Sequence, residues 1–173
     1  MCIRDRCKVE EVFEEKKLDF SKIDLVINAT GIDNLGFILN DFFNKNYFGK
    51  PLIHSWVEPL GLGGHILISN NNKNAGCLRC LFKNDKKFGL VNEFSLVEPG
   101  QNFRKSISGC STRFTPYGSI DAIRTAIETV KYSIEILKGK ELSNPLISWY
   151  GSCLLYTSPS PRDATLSRMP SSA

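Results

Sequence analysis

Short apolar runs alternate with amphipathic stretches along this chain, and their order predicts an α/β fold. Ile23 to Ala29 is apolar apart from Asp24 and Asn28 and ends in Thr30-Gly31, the pattern of a buried parallel strand. Asn34 to Asn44 then carries Leu35, Ile38, Leu39, Phe42 and Phe43 at helical spacing, and Asn46 with Gly49-Lys50-Pro51 stops it. Leu52 to Val57 reads as the next strand. Strand, helix and strand joined by short loops make a right-handed βαβ crossover the expected geometry. Gly61-Leu62-Gly63-Gly64 is a flexible turn into His65 to Ser69, a further strand able to pair with Leu52 to Val57. Asn70 to Lys87 is polar and expected to be a loop. Phe88 to Tyr117 has little periodicity, with Pro99, Gly100, Gly109 and Pro116 interrupting it, and its length marks a functional or mobile segment. Ser119 to Lys138 gives the clearest signal: Ile120, Ile123, Ile127, Val130, Ile134 and Leu137 recur at steps of three and four. Ser119 is placed to cap this long amphipathic helix, Asp121 suits its positive end and Gly139 can close it. Its apolar stripe is expected to pack against the core. Pro145 to Tyr150 reads as a last strand, and Glu10 to Lys17, with Val12 and Phe13, as the last turns of a helix. The chain shows no internal repeat.

Both ends read differently. Met1-Cys2-Ile3-Arg4-Asp5-Arg6 back-translates to ATG TGT ATA AGA GAC AG, which resembles the mosaic end of a transposase-based sequencing adapter. Cys153-Leu154-Leu155-Tyr156-Thr157-Ser158 back-translates to the reverse complement, and Pro159 to Ala173 continues as adapter arm, index and primer. Two matches in the right order and orientation assign residues 1–6 and 152–173 to adapter, the latter expected to be disordered. Residues 7–151 are then the biological portion, a partial domain cut from a longer gene. About 145 residues is one domain's worth of chain.

This partition changes the charge. Setting aside Arg4, Arg6, Arg162 and Arg168 lowers the 22 basic residues to 18, and setting aside Asp5 and Asp163 lowers the 18 acidic ones to 16. The net charge falls from +4 to +2, and a nucleic-acid-binding reading loses its main support. The six cysteines become four: Cys7, Cys77, Cys80 and Cys110. A Cys-x-x-Cys pair with isolated thiols and no signal peptide points to a reducing compartment, the cytoplasm. No apolar run approaches the roughly 20 residues of a membrane span.

Cys77-Leu78-Arg79-Cys80 has the spacing of half a zinc site, because two intervening residues let both thiolates reach one tetrahedral metal. The alternative is a structural turn with two buried thiols, and spacing leaves both open. Cys110 lies between Gly109 and Ser111, with Arg104, Lys105 and Arg113 nearby to favour a thiolate. Composition alone favours a buried free cysteine there. His54 and His65 read as structural residues of strands, and Glu58 as a solvated turn residue rather than a general base. Gly61-x-Gly63-Gly64 lacks the spacing of a phosphate loop and leads into no helix.

The motif order is more specific than any single motif. Ala29-Thr30-Gly31, Leu39-Asn40-Asp41, Lys50-Pro51-Leu52, Gly76-Cys77-Leu78-Arg79-Cys80-Leu81-Phe82 and Phe114-Thr115-Pro116-Tyr117 resemble, in sequence, the C-terminal half of a ubiquitin-activating-enzyme-like adenylyltransferase, the ThiF/MoeB/HesA superfamily. Trp56-Val57-Glu58-Pro59-Leu60-Gly61-Leu62-Gly63-Gly64-His65, and a cysteine shortly before Phe114, resemble the branch found in bacterial antiphage (CBASS) operons. The similarity covers nearly all of residues 7–151. It implies the C-terminal part of a Rossmann-like ThiF-type fold, with a mixed sheet, that uses ATP and magnesium to adenylate the C-terminal carboxylate of a ubiquitin-like protein or conjugation target. It further implies a thioester passed to a conjugating-enzyme-like domain, and a homodimer. By position Cys110 matches the acyl-carrying cysteine, and Cys77 and Cys80 match the first half of the superfamily's zinc site; a complete four-thiolate site is not expected in this branch. The superfamily's acid after Thr30 and its arginine five residues later fall on Gly31 and Gly36, so either Asp33 takes the acidic, nucleotide-binding role or adenylation is altered. The phosphate loop belongs upstream of Cys7, and the fragment alone is not expected to adenylate. Two other readings compete: a sulfur-carrier adenylyltransferase of thiamin or molybdopterin synthesis, and a catalytically silent interaction module on the same scaffold.

Overall fold

The computed structural model describes residues 19–31, 33–70, 75–106, 113–141 and 143–151. Cys7, Cys110, both adapter-like ends and the helix expected over Glu10 to Lys17 lie outside the described residues. Within them the chain is α/β, built on a mixed sheet. β1 (Val26–Asn28) pairs in parallel with β2 (Leu52–Val57), and the connection between them contains α1 (Asp33–Asn46). β2 pairs antiparallel with β3 (Gly63–Ser69) from Leu52↔Ser69 to Val57↔Gly64. β8 (Leu146–Tyr150) adds antiparallel to β3, giving the order β1-β2-β3-β8.

β1 is shorter than its apolar run. Its ladder begins at Val26↔Leu52 because the partner strand starts there; one residue earlier stands Pro51, which has no N–H to donate and only accepts from Val26 N at 3.3 Å. β3 has all seven residues buried, which is why Ile66, Leu67 and Ile68 form a continuous run rather than an alternation.

Two apolar layers sandwich the sheet. On one face Phe20, Leu39, Phe43 and Leu52 cluster, with the Phe20 and Phe43 rings edge-on at 5.3 Å. Further along that face Leu67, Leu78 and Leu81 pack with Phe37, Trp56 and Phe82. On the other, Ile53, Ile66, Ile68 and Trp149 meet Tyr132 and Ile136 of α2 (Ser119–Leu137).

The packing of α2 overturns its expected orientation. Thr125, Thr129 and Ser133 are the buried residues, while Ile120, Ile123, Ile127, Val130, Ile134 and Leu137 are 46–76% exposed. Small side chains let the helix approach the sheet at Gly64, where an added Cβ would lie 2.3 Å from the Trp149 ring and 2.8 Å from Thr125 Oγ1. The buried hydroxyls are satisfied within the helix: Thr125, Thr129 and Ser133 each donate to the carbonyl four residues back at 2.7 Å. The cap also differs, since Gly118 occupies the N-cap position, makes no side-chain bond, and Ser119 is the first helical residue.

The expected loop over Asn70 to Lys87 is also corrected. A 3-10 turn spans Leu78–Leu81, and β4 (Phe82–Asp85) forms a hairpin with β5 (Gly89–Asn92). Asp85 Oδ1 accepts from Lys87 N and Phe88 N at 2.7 and 2.9 Å and so fixes the turn. Residues 83–90 are exposed, so no buried face imposes a period-two pattern on the sequence. β6 (Lys105–Ser106) and β7 (Arg113–Phe114) pair antiparallel at the two ends of the segment that carries Cys110. Among the described residues no helix is long and apolar enough to cross a membrane.

Candidate functional site

An open cleft of about 1150 Å³ lies at the carboxyl ends of β1 and β2. Ligands of open α/β sheets collect there because loops diverge from the strand ends and leave a crevice. Ala29, Thr30 and Gly31 line it just after β1, Trp56 to Pro59 at the end of β2, and Phe114 to Tyr117 at and beyond the end of β7. The hairpin adds Phe82 and Leu90, and α2 adds Ala122, Ala126 and Val130. Among the described residues that line it, Arg104 is the one cation, and Glu58 and Glu98 are the carboxylates.

Glu58 is not the solvated turn residue expected. It is 3% exposed, and four donors surround its carboxylate. Oε1 accepts from Trp56 Nε1 at 3.2 Å and lies 3.1 Å from His65 Nε2, a close contact without hydrogen-bond alignment. Oε2 accepts from Ser95 Oγ at 2.9 Å and Leu96 N at 3.3 Å. Burial pushes the Glu58 carboxyl up, but the nearby His65 ring and the hydrogen bonds from Ser95 and Trp56 outweigh it and hold the group below its usual 4.5. A carboxylate so engaged pins the segment at Ser95 to the end of β2. It shapes the cleft wall. Sequence reasoning missed it, although Trp56 and His65 are register partners across the β2–β3 hairpin, and a hairpin at the glycine-rich turn brings Glu58 back beside His65. The His65 ring stacks on Trp56 with centroids 5.0 Å apart, and its Nδ1 is 2.7 Å from Ser148 Oγ on β8.

His54 is buried as expected, 2% exposed, with Nδ1 3.1 Å from Asn28 Nδ2. Burial lowers its pKa to about 4. Gly36, at the position where the resemblance has an arginine, sits on α1 so close to Leu78 that an added Cβ would meet Cδ2 at 2.9 Å. Asp33 opens α1 two residues after Gly31, which lines the cleft; the Asp33 side chain lies outside what is described.

Cys77 and Cys80 stand apart from the cleft. Their sulfurs are 3.6 Å apart, close to the edge of a tetrahedron with zinc–sulfur bonds of about 2.3 Å. Cys80 is exposed and Cys77 half-buried, which removes the alternative of two buried thiols. Among the described residues no third histidine, cysteine, aspartate or glutamate joins them, so the pair fits half of a site. Two motifs meet here: Leu78 N donates to Asn40 Oδ1 at 3.0 Å, and Arg79 grips Asp41 with Nε 2.6 Å from Oδ1 and Nη2 on Oδ2. The Arg79 guanidinium holds the Asp41 carboxyl below its usual value. Cys110 itself lies outside the described residues, while Phe114 of the β6–β7 ladder and Arg104 next to it both line the cleft. No protein-family model, curated protein or solved structure matches the chain.

Proposed function

We propose that the chain is the C-terminal half of a ThiF/MoeB/HesA-type adenylyltransferase that activates the C-terminal carboxylate of a ubiquitin-like or target protein and carries it as a thioester. The observation that supports this most is convergence: Ala29-Thr30-Gly31, Trp56-Val57-Glu58-Pro59 and Phe114-Thr115-Pro116-Tyr117, widely separated in sequence, line one cleft at the strand ends. In the reaction a carboxylate oxygen attacks the α-phosphorus of ATP and expels pyrophosphate. The Cys110 thiolate then displaces AMP and forms the thioester, which splits one hard acyl transfer into two easier ones. Arg104 and the positive end of α1 are the groups here suited to phosphate, the cleft's aromatic wall suits the base, and Asp33 is the candidate carboxylate for magnesium. Cys77 and Cys80 would supply two thiolates to zinc. A homodimer would use the exposed stripe of α2, and the acceptor would be a conjugating-enzyme-like domain in the cytoplasm.

One observation favours a second reading, the silent interaction module. Gly31 brings no acid to the cleft, and an arginine at Gly36 would have to displace Leu78. ATP–pyrophosphate exchange by the protein expressed from the uninterrupted gene separates the two: exchange dependent on the acceptor carboxylate supports adenylation, and its absence with folded protein supports the silent module.

A further inference from the structure

The side chains of Ser148, His65 and Glu58 touch in that order across β8, β3 and the end of β2. Glu58 and His65 are buried, whereas Ser148 is exposed, and neither Ser148 nor His65 lines the main cleft. Glu58 Oε1 is 3.1 Å from His65 Nε2. A bare Nε2 would set its lone pair against that carboxylate, so the proton of the neutral imidazole belongs on Nε2 and Nδ1 keeps a free lone pair. Ser148 Oγ, 2.7 Å from Nδ1, is then the donor. Nucleophile, base and orienting acid stand in this relation in serine hydrolases, here with the two ring nitrogens exchanged.

The strand register adds a fourth group. Ile68 N donates to Pro145 O and Gly151 N to Leu62 O, so the β3–β8 ladder bonds fall at every second pair between those two. The pair His65↔Ser148 lies between bonded pairs, which brings the two side chains close and turns the Ser148 N–H away from β3. Among the described residues β8 is the last strand on that side of the sheet, so this N–H faces the open edge beside its own Oγ.

We propose that Ser148 is a nucleophile toward activated carboxylic esters, with His65 Nδ1 as its base, Glu58 as a positioning residue and the Ser148 N–H as a donor to the ester carbonyl oxygen. Ser148 Oγ bonds to the carbonyl carbon while its proton passes to His65 Nδ1. The alcohol then leaves, takes that proton and gives an acyl-serine. Water repeats the sequence, which releases the carboxylic acid and restores the serine. Glu58 supplies the counter-charge for the imidazolium formed on the way, a cation that burial would otherwise penalise. The inference stands on the contacts across β2, β3 and β8 and holds whichever molecule the main cleft takes.

The probes are p-nitrophenyl acetate and a fluorophosphonate, applied to the full chain and to Ser148→Ala, with the modified residue located by peptide mass spectrometry. The expected result is modification of Ser148 about 100-fold faster than of the chain's other serines, the low end of what a positioned base supplies, and loss of that preference in urea. Ser148→Ala, at an exposed site, is expected to keep the fold by circular dichroism and to lose the adduct. The chain has two histidines, so long-range proton–nitrogen spectra of the ¹⁵N-histidine-labelled chain contain two imidazoles, told apart with His54→Phe. His65 is expected to carry its proton on Nε2, and Glu58→Gln to admit the Nδ1 tautomer and slow the labelling. Labelling spread evenly over the serines, a Ser148 preference that survives urea, or a His65 proton on Nδ1 in the wild type would overturn the proposal and leave a structural hydrogen bond. The wild-type measurements decide the matter even where Glu58→Gln perturbs folding.

Discussion

α1 turns Leu39 and Phe43 into the sheet, whereas α2 turns in Thr125, Thr129 and Ser133 and leaves six aliphatic side chains outward. Both helices carry apolar residues at the same period, so period alone does not decide which stripe meets the sheet. What decides is the surface each helix meets. On the α1 side the rings of Phe20, Phe42 and Tyr47 leave room for Phe43. On the α2 side Gly64 and the Trp149 ring bring backbone and side chain so close that only small residues fit, and serine and threonine fit there because their hydroxyls bond back into the helix.

The sharpest way to break the comparison is a pair of truncations. Phe43→Ala empties a site that is 1% exposed and is expected to cost about 3–5 kcal/mol in urea denaturation, while Ile127→Ala, at a position 61% exposed, stays within about 0.5 kcal/mol. Equal losses would mean that the Ile127 stripe is core after all.

The next effect is a pH dependence on the α1 side. Burial lowers the His54 pKa from 6.5 to about 4, so between those values the unfolded chain binds a proton that the folded chain refuses. The associated stability is complete above pH 6.5 and falls, by about 3 kcal/mol in all, as the pH drops toward 4. Glu58, held below 4.5, adds its own loss only at lower pH. His54→Phe is expected to flatten the profile between pH 4 and 6.5, and an unchanged slope would show that another group carries it.

On the α2 side Thr129→Val tests the polar seam. It keeps the shape and removes the hydroxyl that lies 2.9 Å from Ser55 Oγ, leaving that buried group unpaired at a cost of about 1–2 kcal/mol. Adding Ser55→Ala is expected to recover part of the loss, and strict additivity would mean that the two hydroxyls do not interact. The smallest effect on stability belongs to Ile127→Glu on the open stripe. There the expected change is in sedimentation of the uninterrupted protein, where the homodimer proposed above gives way to monomer, and a dimer that survives the charge would remove α2 from the proposed interface.

Much of the frame was legible because local and global signals agreed. Leu52 to Val57 is bounded by Pro51 and Glu58-Pro59, and both its span and its antiparallel partner follow from its pattern. The hairpin at Lys86 stayed hidden because its strands are exposed and short. The inverted α2 stayed hidden because threonine at steps of four looks like a polar face until the opposing Gly64 is known. Of the candidate site, the motifs Ala29-Thr30-Gly31, Trp56 to Pro59 and Phe114 to Tyr117 line one cleft, yet Glu58 was misread. The charge of a glutamate in a turn signals solvent, and only the β2–β3 register shows that His65, Trp56 and Ser95 replace that solvent.

Cys110→Ala in the uninterrupted protein tests the acyl-carrier assignment most directly, read by intact-protein mass spectrometry with ATP, magnesium and the acceptor protein. The account predicts that the wild type accumulates a thiol-sensitive adduct, and that Cys110→Ala loses the adduct and retains ATP–pyrophosphate exchange. An adduct that persists in Cys110→Ala would contradict it.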